Sequence, residues 1–153
     1  MRYLEDFAAG EAFTGTRRYV LTEREIREVG ERWDPQPFHV DPVAARDSLF
    51  GGLVASSVHL FAILISMRAA AGEDDPVAAV SALGFDKLRL HAPARPGDEL
   101  RSRTTVLECR ASKSRPELGI LRTELELFNQ DADLVFSCES AFLVRKRPTE
   151  HER

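Results

Sequence analysis

The chain has 153 residues, 43% of them hydrophobic and 30% charged, with a formal net charge of −4. That length supports one domain with a core of its own, and that composition argues against disorder. The acidic balance offers no general attraction to nucleic acid or to an anionic membrane surface.

Met1 to Gly10, MRYLEDFAAG, lacks the basic start and apolar run of a secretory leader. Phe13 to Leu21 is expected to form a first strand. Thr22 stands three residues before Glu25, the capping-box spacing that opens a helix. Ile26, Val29 and Trp33 then share one apolar face, so Trp33 is assigned to the core.

The helix stops at WDPQPFHVDP, Trp33 to Pro42. Pro35 and Pro37 remove donors and push Asp34 and Gln36 towards extended conformations, so this segment is read as a stiff, non-helical loop. Asp41 with Pro42 behind it opens a further helical turn, as N-cap and first helical residue.

Leu49 to Gly72 follows. Gly51 and Gly52 suit a tight approach, Ser56 and Ser57 suit a helix start, and Val58 to Ala71 is apolar nearly all round. Such a helix is expected to be enclosed by protein on most sides, with Gly72 as its C′ residue. It is interrupted by His59 and Arg68. A membrane span needs about 20 mostly apolar residues, so a buried helix is the better reading.

From Ala78 onward the pattern is β. Ala78–Leu90 and Glu99–Arg110 flank the turn in APARPGD. Leu121–Leu127 alternates apolar residues with Arg122, Glu124 and Glu126. Leu134–Val144 alternates again beyond a turn at Asn129–Asp133. The fold class is α+β, an antiparallel sheet wrapping a long central helix. Residues 1–147 are expected to form the single domain, and 148–153 a disordered tail.

Cys109 and Cys138 lack CxxC spacing and nearby histidines, and each reads as a small thiol packed in a strand, with a disulfide or reactive thiol as the alternative. The four histidines show no i, i+4 pairing, so no metal site is expected. A cytoplasmic location follows from the cysteine usage. Lys87, Arg89, Arg95 and Arg145–Arg147 read as solvated surface charge.

Chemistry concentrates around Asp34 and His39. A carboxylate and an imidazole on one bent loop can hold a water between them and take its proton, although a turn aspartate and a packed histidine give the same letters. Gln36, flanked by prolines, fixes the loop or meets a substrate. Ser57 has Ala55 and His59 where the GxSxG nucleophile pattern needs glycines, so serine-hydrolase chemistry is unsupported. The Ser56–Ser57 helix start instead supplies free N–H groups for a carbonyl oxygen gaining charge. His59 is either a satisfied core histidine or a pocket residue.

Asp34-Pro35-Gln36-Pro37-Phe38-His39 resembles the hydratase motif D-x-N-P-[LI]-H of the MaoC-like, (R)-specific enoyl-CoA hydratase family of the hotdog fold. The resemblance runs on through Asp41, through Phe50-Gly51-Gly52-Leu53-Val54-Ala55-Ser56-Ser57 and through APARPGD, and spans nearly the whole chain. It implies a hotdog domain that interconverts a trans-2-enoyl-CoA and a 3-hydroxyacyl-CoA without a cofactor. Asp34 and His39 would be catalytic, and Gln36, Gly52, Ser56, Ser57 and His59 would meet the acyl-CoA. A homodimer or higher homo-oligomer is implied as well. The sequence departs from the family pattern at Gln36, where the motif has Asn, at Ser57, where a Gly-like residue is expected, and at Ile65, where the family has a serine. A hotdog thioesterase and a non-catalytic acyl-CoA-binding or assembly subunit are the competing readings.

Overall fold

The computed structural model describes residues 1–71 and 75–148. Gly72 and the tail from 149 onward lie outside the described residues. Short strands β1 (Ala12–Thr14) and β2 (Tyr19–Val20) lead into helix α1 (Glu23–Trp33). Two single-turn helices follow, α2 (Pro37–Val40) and α3 (Pro42–Arg46), and then the long helix α4 (Ser57–Ala71). Strands β3 (Ala79–Leu90), β4 (Glu99–Ala111), β5 (Leu118–Phe128) and β6 (Leu134–Arg145) complete the chain.

The strands form one sheet in the order β1-β4-β5-β6-β3, with β2 also on β4, and every strand pair is antiparallel. β3 closes one edge. Alternation decides which face is wet. Leu121, Leu125 and Leu127 of β5 are buried on the side shared with Phe136, Cys138 and Phe142 of β6, while on the other side Arg122 pairs with Glu139 and Glu126, expected to be wet but buried under its partner, pairs with Arg103, each at 2.8 Å.

Helix α4 lies against the apolar face. Leu60, Ile63, Leu64 and Met67 pack with Leu125, Leu127, Val135 and Phe136 in the main core. A second cluster, built on Leu4, Val106, Leu121, Phe142 and Val144, fills the other end of the sheet. Val58, Ala62 and Ser66 leave one stripe of α4 exposed at i, i+4 spacing. No helix is long and apolar enough to cross a membrane among the described residues.

Three expectations need correction. The first strand is two pieces: five residue steps from Thr14 to Tyr19 face three steps from Arg103 to Leu100, so the surplus chain leaves the sheet edge between them. Trp33 is not core but 62% exposed, because Gly30 is the last buried residue of α1 and the helix runs on past the core; the Arg32 guanidinium lies 5.0 Å from the indole centroid. The proline segment is not wholly loop, since Pro37 starts α2. A proline at the first helical position gives up a donor that the helix would leave unsatisfied anyway.

Both cysteines are free thiols, and burial pushes Cys138 up to about 11. That holds its sulfur as the unreactive thiol.

Candidate active site

The site is assembled by a sharp change of chain direction. α1 ends at Asp34, whose N–H donates to the Gly30 carbonyl at 2.9 Å. Pro35 has no N–H to continue the ladder. The Gln36 N–H closes on the Asp34 carbonyl at 2.8 Å, and the His39 N–H on the Gln36 carbonyl at 2.9 Å. These two turns fold α2 back along α1 and bring His39 beside Asp34. Gly30 allows this approach, since a Cβ there would lie 2.9 Å from that of His39. Behind α2, Asp41 caps α3 by accepting from the N–H groups of Val43 at 2.8 Å and Ala44 at 3.2 Å.

His39 Nε2 stands 3.4 Å from Asp34 Oδ2. On the other side of the ring, Nδ1 lies 2.6 Å from the Val54 carbonyl oxygen. A carbonyl only accepts, so Nδ1 carries a proton, and in the neutral tautomer this fixes, the Nε2 lone pair points towards the carboxylate. In that tautomer two acceptors face each other, and a proton donor bridging them satisfies both. His39 is buried, whereas the Asp34 side chain is 31% exposed, so the pair is reached from the aspartate side.

The opening leads to a cavity of about 380 Å³ that Asp34, His39 and Ser57 line together. Its walls are mostly apolar, including Phe38, Phe50, Val54, Leu60 and Leu90. The Phe38 ring meets His39 edge-on at 4.6 Å and Phe50 at 5.2 Å. Ala94, in the turn between β3 and β4, closes another side and accepts from the Ala55 N–H at 2.9 Å.

Ser57 is the first residue of α4, and its N–H has no acceptor among the described residues. A fifteen-residue helix directs its positive end at that part of the cavity. Ser56 has a different task. It is buried off the cavity, its Oγ accepting from the His59 N–H at 3.3 Å and its carbonyl from the Leu60 N–H at 3.0 Å.

The remaining sequence candidates stand outside the cavity lining. Gln36 is exposed, serves as the backbone N-cap of α2 and is not among the residues lining the cavity. Gly52 is half-buried near Arg95. His59 is buried between α4 and α1, with Nε2 3.4 Å from Glu25 Oε1; Glu25 also accepts a hydrogen bond from the Tyr19 hydroxyl. Burial holds the His59 ring below its ordinary value, with Glu25 opposing, and burial together with the Glu25 bond pushes Tyr19 up to about 12. Glu25 thus links Tyr19 to His59 instead of reaching back to Thr22, and only the Thr22 half of the expected capping box forms, at 3.2 Å.

Sequence reasoning missed His91, which lines the cavity and bonds Ser137 Oγ through Nε2 at 2.8 Å. It also misread Arg95. That guanidinium is no free surface charge but donates to the Phe50 carbonyl at 2.7 Å, fixing a wall residue. Neither role has a sequence signal, because both partners are distant along the chain. Among the described residues no three His, Cys, Asp or Glu side chains converge as a metal ion would require.

Residues 6–126 match the family model described as the MaoC like domain. The chain belongs to the MaoC-like family. A curated relative, the uncharacterized protein YdeM of Bacillus subtilis (strain 168), is 30% identical over 145 residues, which cover 94% of this chain and 99% of that protein. The crystal structure of the MaoC-like dehydratase from Rhodospirillum rubrum superposes with a TM-score of 0.89 at 38% identity, covering 97% of this chain and all of that one. The R-hydratase PhaJ1 from Pseudomonas aeruginosa shares the fold, with a TM-score of 0.72 at 22% identity over 95% of this chain and 86% of its own. The sheet-around-helix architecture of this MaoC-like protein is the hotdog fold.

Proposed function

We propose that this MaoC-like protein adds water across the double bond of a trans-2-enoyl-CoA, and removes it again from the 3-hydroxyacyl-CoA, with Asp34 and His39 as the catalytic pair. The observation that carries this reading is the His39 ring itself. Its Nδ1 proton is committed to Val54, so its Nε2 lone pair and the Asp34 carboxylate are both left to accept protons at the wall of a cavity.

In the hydration direction a water donates to both acceptors. Its oxygen bonds to the β-carbon as one proton passes to the pair. Electron density moves through the α-carbon to the thioester carbonyl, whose oxygen gains negative charge. The pair then returns a proton to the α-carbon, and one water has been added with no net change at the protein. The carbonyl oxygen is assigned to the Ser57 N–H at the positive end of α4. One donor of this kind is worth on the order of 10²–10³ in rate.

The same reading takes the protein as a homodimer. Edge strand β3 exposes Val80, Leu83, Leu88 and Leu90, an apolar row that a second copy would cover.

Product analysis separates the competing chemistries. Incubation with a panel of 2-enoyl-CoA thioesters is expected to give products heavier by one water with the thioester intact. Release of the CoA thiol in its place would identify a thioesterase. Tight binding without any turnover would identify a binding subunit.

A further inference from the structure

A second cavity, of about 150 Å³, lies at the far end of α4 and shares no lining residue with the Asp34–His39 site. Arg68 lies eleven residue steps beyond Ser57, or about 16 Å along a helix. The second cavity is bounded by the sheet face at Val106, Leu121 and Phe142 and by the N-terminal segment at Phe7 and Phe13. Its size matches that of engineered apolar cavities of about 150 Å³ that take up a benzene molecule.

This cavity is not purely apolar, because Arg68 lines it from α4. The Nε of Arg68 is fully buried without a hydrogen-bond partner, and its guanidinium lies 4.2 Å from the Phe142 ring centroid. Among the described residues no carboxylate stands within ion-pair distance of it. The other two charges at the cavity are both matched. Arg2 pairs with Glu11 at 3.3 Å and donates to the Asp6 carbonyl at 2.8 Å, and Asp75 pairs with the N-terminal ammonium at 3.0 Å. Among the described residues, Arg68 is therefore the one charge at the cavity without an ionic partner. Burial already pulls the Arg68 guanidinium down from its ordinary value. Arg68 is half-buried with its Nε shut off from solvent, and a partly desolvated cation with no carboxylate beside it among the described residues carries a cost that an aromatic face offsets only in part.

We propose that this cavity is a second ligand site, which takes a small organic carboxylate with its anionic end on Arg68 and its apolar body against Val106, Leu121 and Phe142, the Phe7 and Phe13 rings being already covered by the Arg2 guanidinium at 4.2 and 4.4 Å. A planar carboxylate matches the guanidinium fork and satisfies the orphaned Nε–H. The apolar walls reject a fully hydrated inorganic anion, and the charge favours an acid over its neutral isostere. The site is independent of the reaction assigned to Asp34 and His39.

The test is calorimetric titration of the full chain with benzoate, with benzyl alcohol and with sulfate. Benzoate is expected to bind one per chain in the millimolar range or tighter, while benzyl alcohol and sulfate give no saturable heat. Arg68→Met is expected to weaken benzoate by about tenfold or more. Thr104→Phe keeps the charge and fills the space, and it too is expected to abolish binding, so the result does not hang on one variant's folding. His39→Ala, in the other cavity, is expected to leave benzoate binding unchanged. Equal affinity in wild type and Arg68→Met, loss of binding only in His39→Ala, or no saturable benzoate heat in wild type would each overturn the proposal.

Discussion

Gly30 and His39 touch where no side chain fits between them: a Cβ on Gly30 would lie 2.9 Å from the His39 Cβ and 3.1 Å from the His39 carbonyl oxygen. The His39 imidazole is therefore positioned by an absence on the neighbouring helix. Gly30→Ala must push α2 away from α1 and move His39 relative to Asp34. Overpacking of this kind costs about 1–3 kcal/mol. We expect a lower Tm and a fall in kcat larger than any change in KM, both measured on the purified variant. A fully active Gly30→Ala enzyme would show that the two helices do not set the pair's geometry.

Asp41 lies two residues beyond His39, yet its carboxylate faces the backbone of α3 and not the cavity. Asp41→Ala is expected to cost about 1 kcal/mol through loss of the cap. Thermal unfolding should register that loss while turnover at saturating substrate stays near wild type. A collapse of kcat with unchanged stability would give Asp41 a chemical role.

His59 sets a pH dependence of stability. Burial holds its folded-state value below the 6.5 of a free imidazole, with Glu25 acting in the opposite direction. The unfolded chain therefore binds more protons as pH falls below 6.5, and stability that is full above that point is lost on acidification. From about pH 7 to about pH 5 the Tm of wild type should drop more steeply than that of His59→Phe. Parallel curves for the two proteins would contradict this.

The exposed row on β3 gives a fourth prediction. Leu83 is 51% exposed in the single chain. If a second copy covers it, Leu83→Asp buries a charge at the interface and should convert a dimer to a monomer in sedimentation equilibrium. An unchanged mass would place the contact elsewhere or remove it.

Much of this was legible along the chain, because the relevant signals are local. Alternation in β5 and β6 marks the wet face, the Asp41-Pro42 cap starts a helix where it is written, and the spacing of Asp34 and His39 around two prolines survives as a converging pair. What failed depends on distant partners. Trp33 has the period of a core residue, but nothing in its own helix shows that the core ends at Gly30. His59 is open between a core and a pocket histidine in the sequence, and the group that stands beside it, Glu25 of α1, belongs to another helix. Arg95 reads as surface charge because its acceptor, the Phe50 carbonyl, lies far away in sequence. Ser56 and Ser57 read alike, and only the first turn of α4 separates the capping hydroxyl from the cavity wall.

The central claim is that Asp34 and His39 act together on one water. It is tested most directly by the rate at which the conjugated thioester absorbance of a short 2-enoyl-CoA disappears with wild type, Asp34→Asn and His39→Gln. Each variant should be slower by about 10²–10⁴-fold with its circular dichroism and Tm preserved. A rate within a few-fold of wild type in either folded variant would contradict the account.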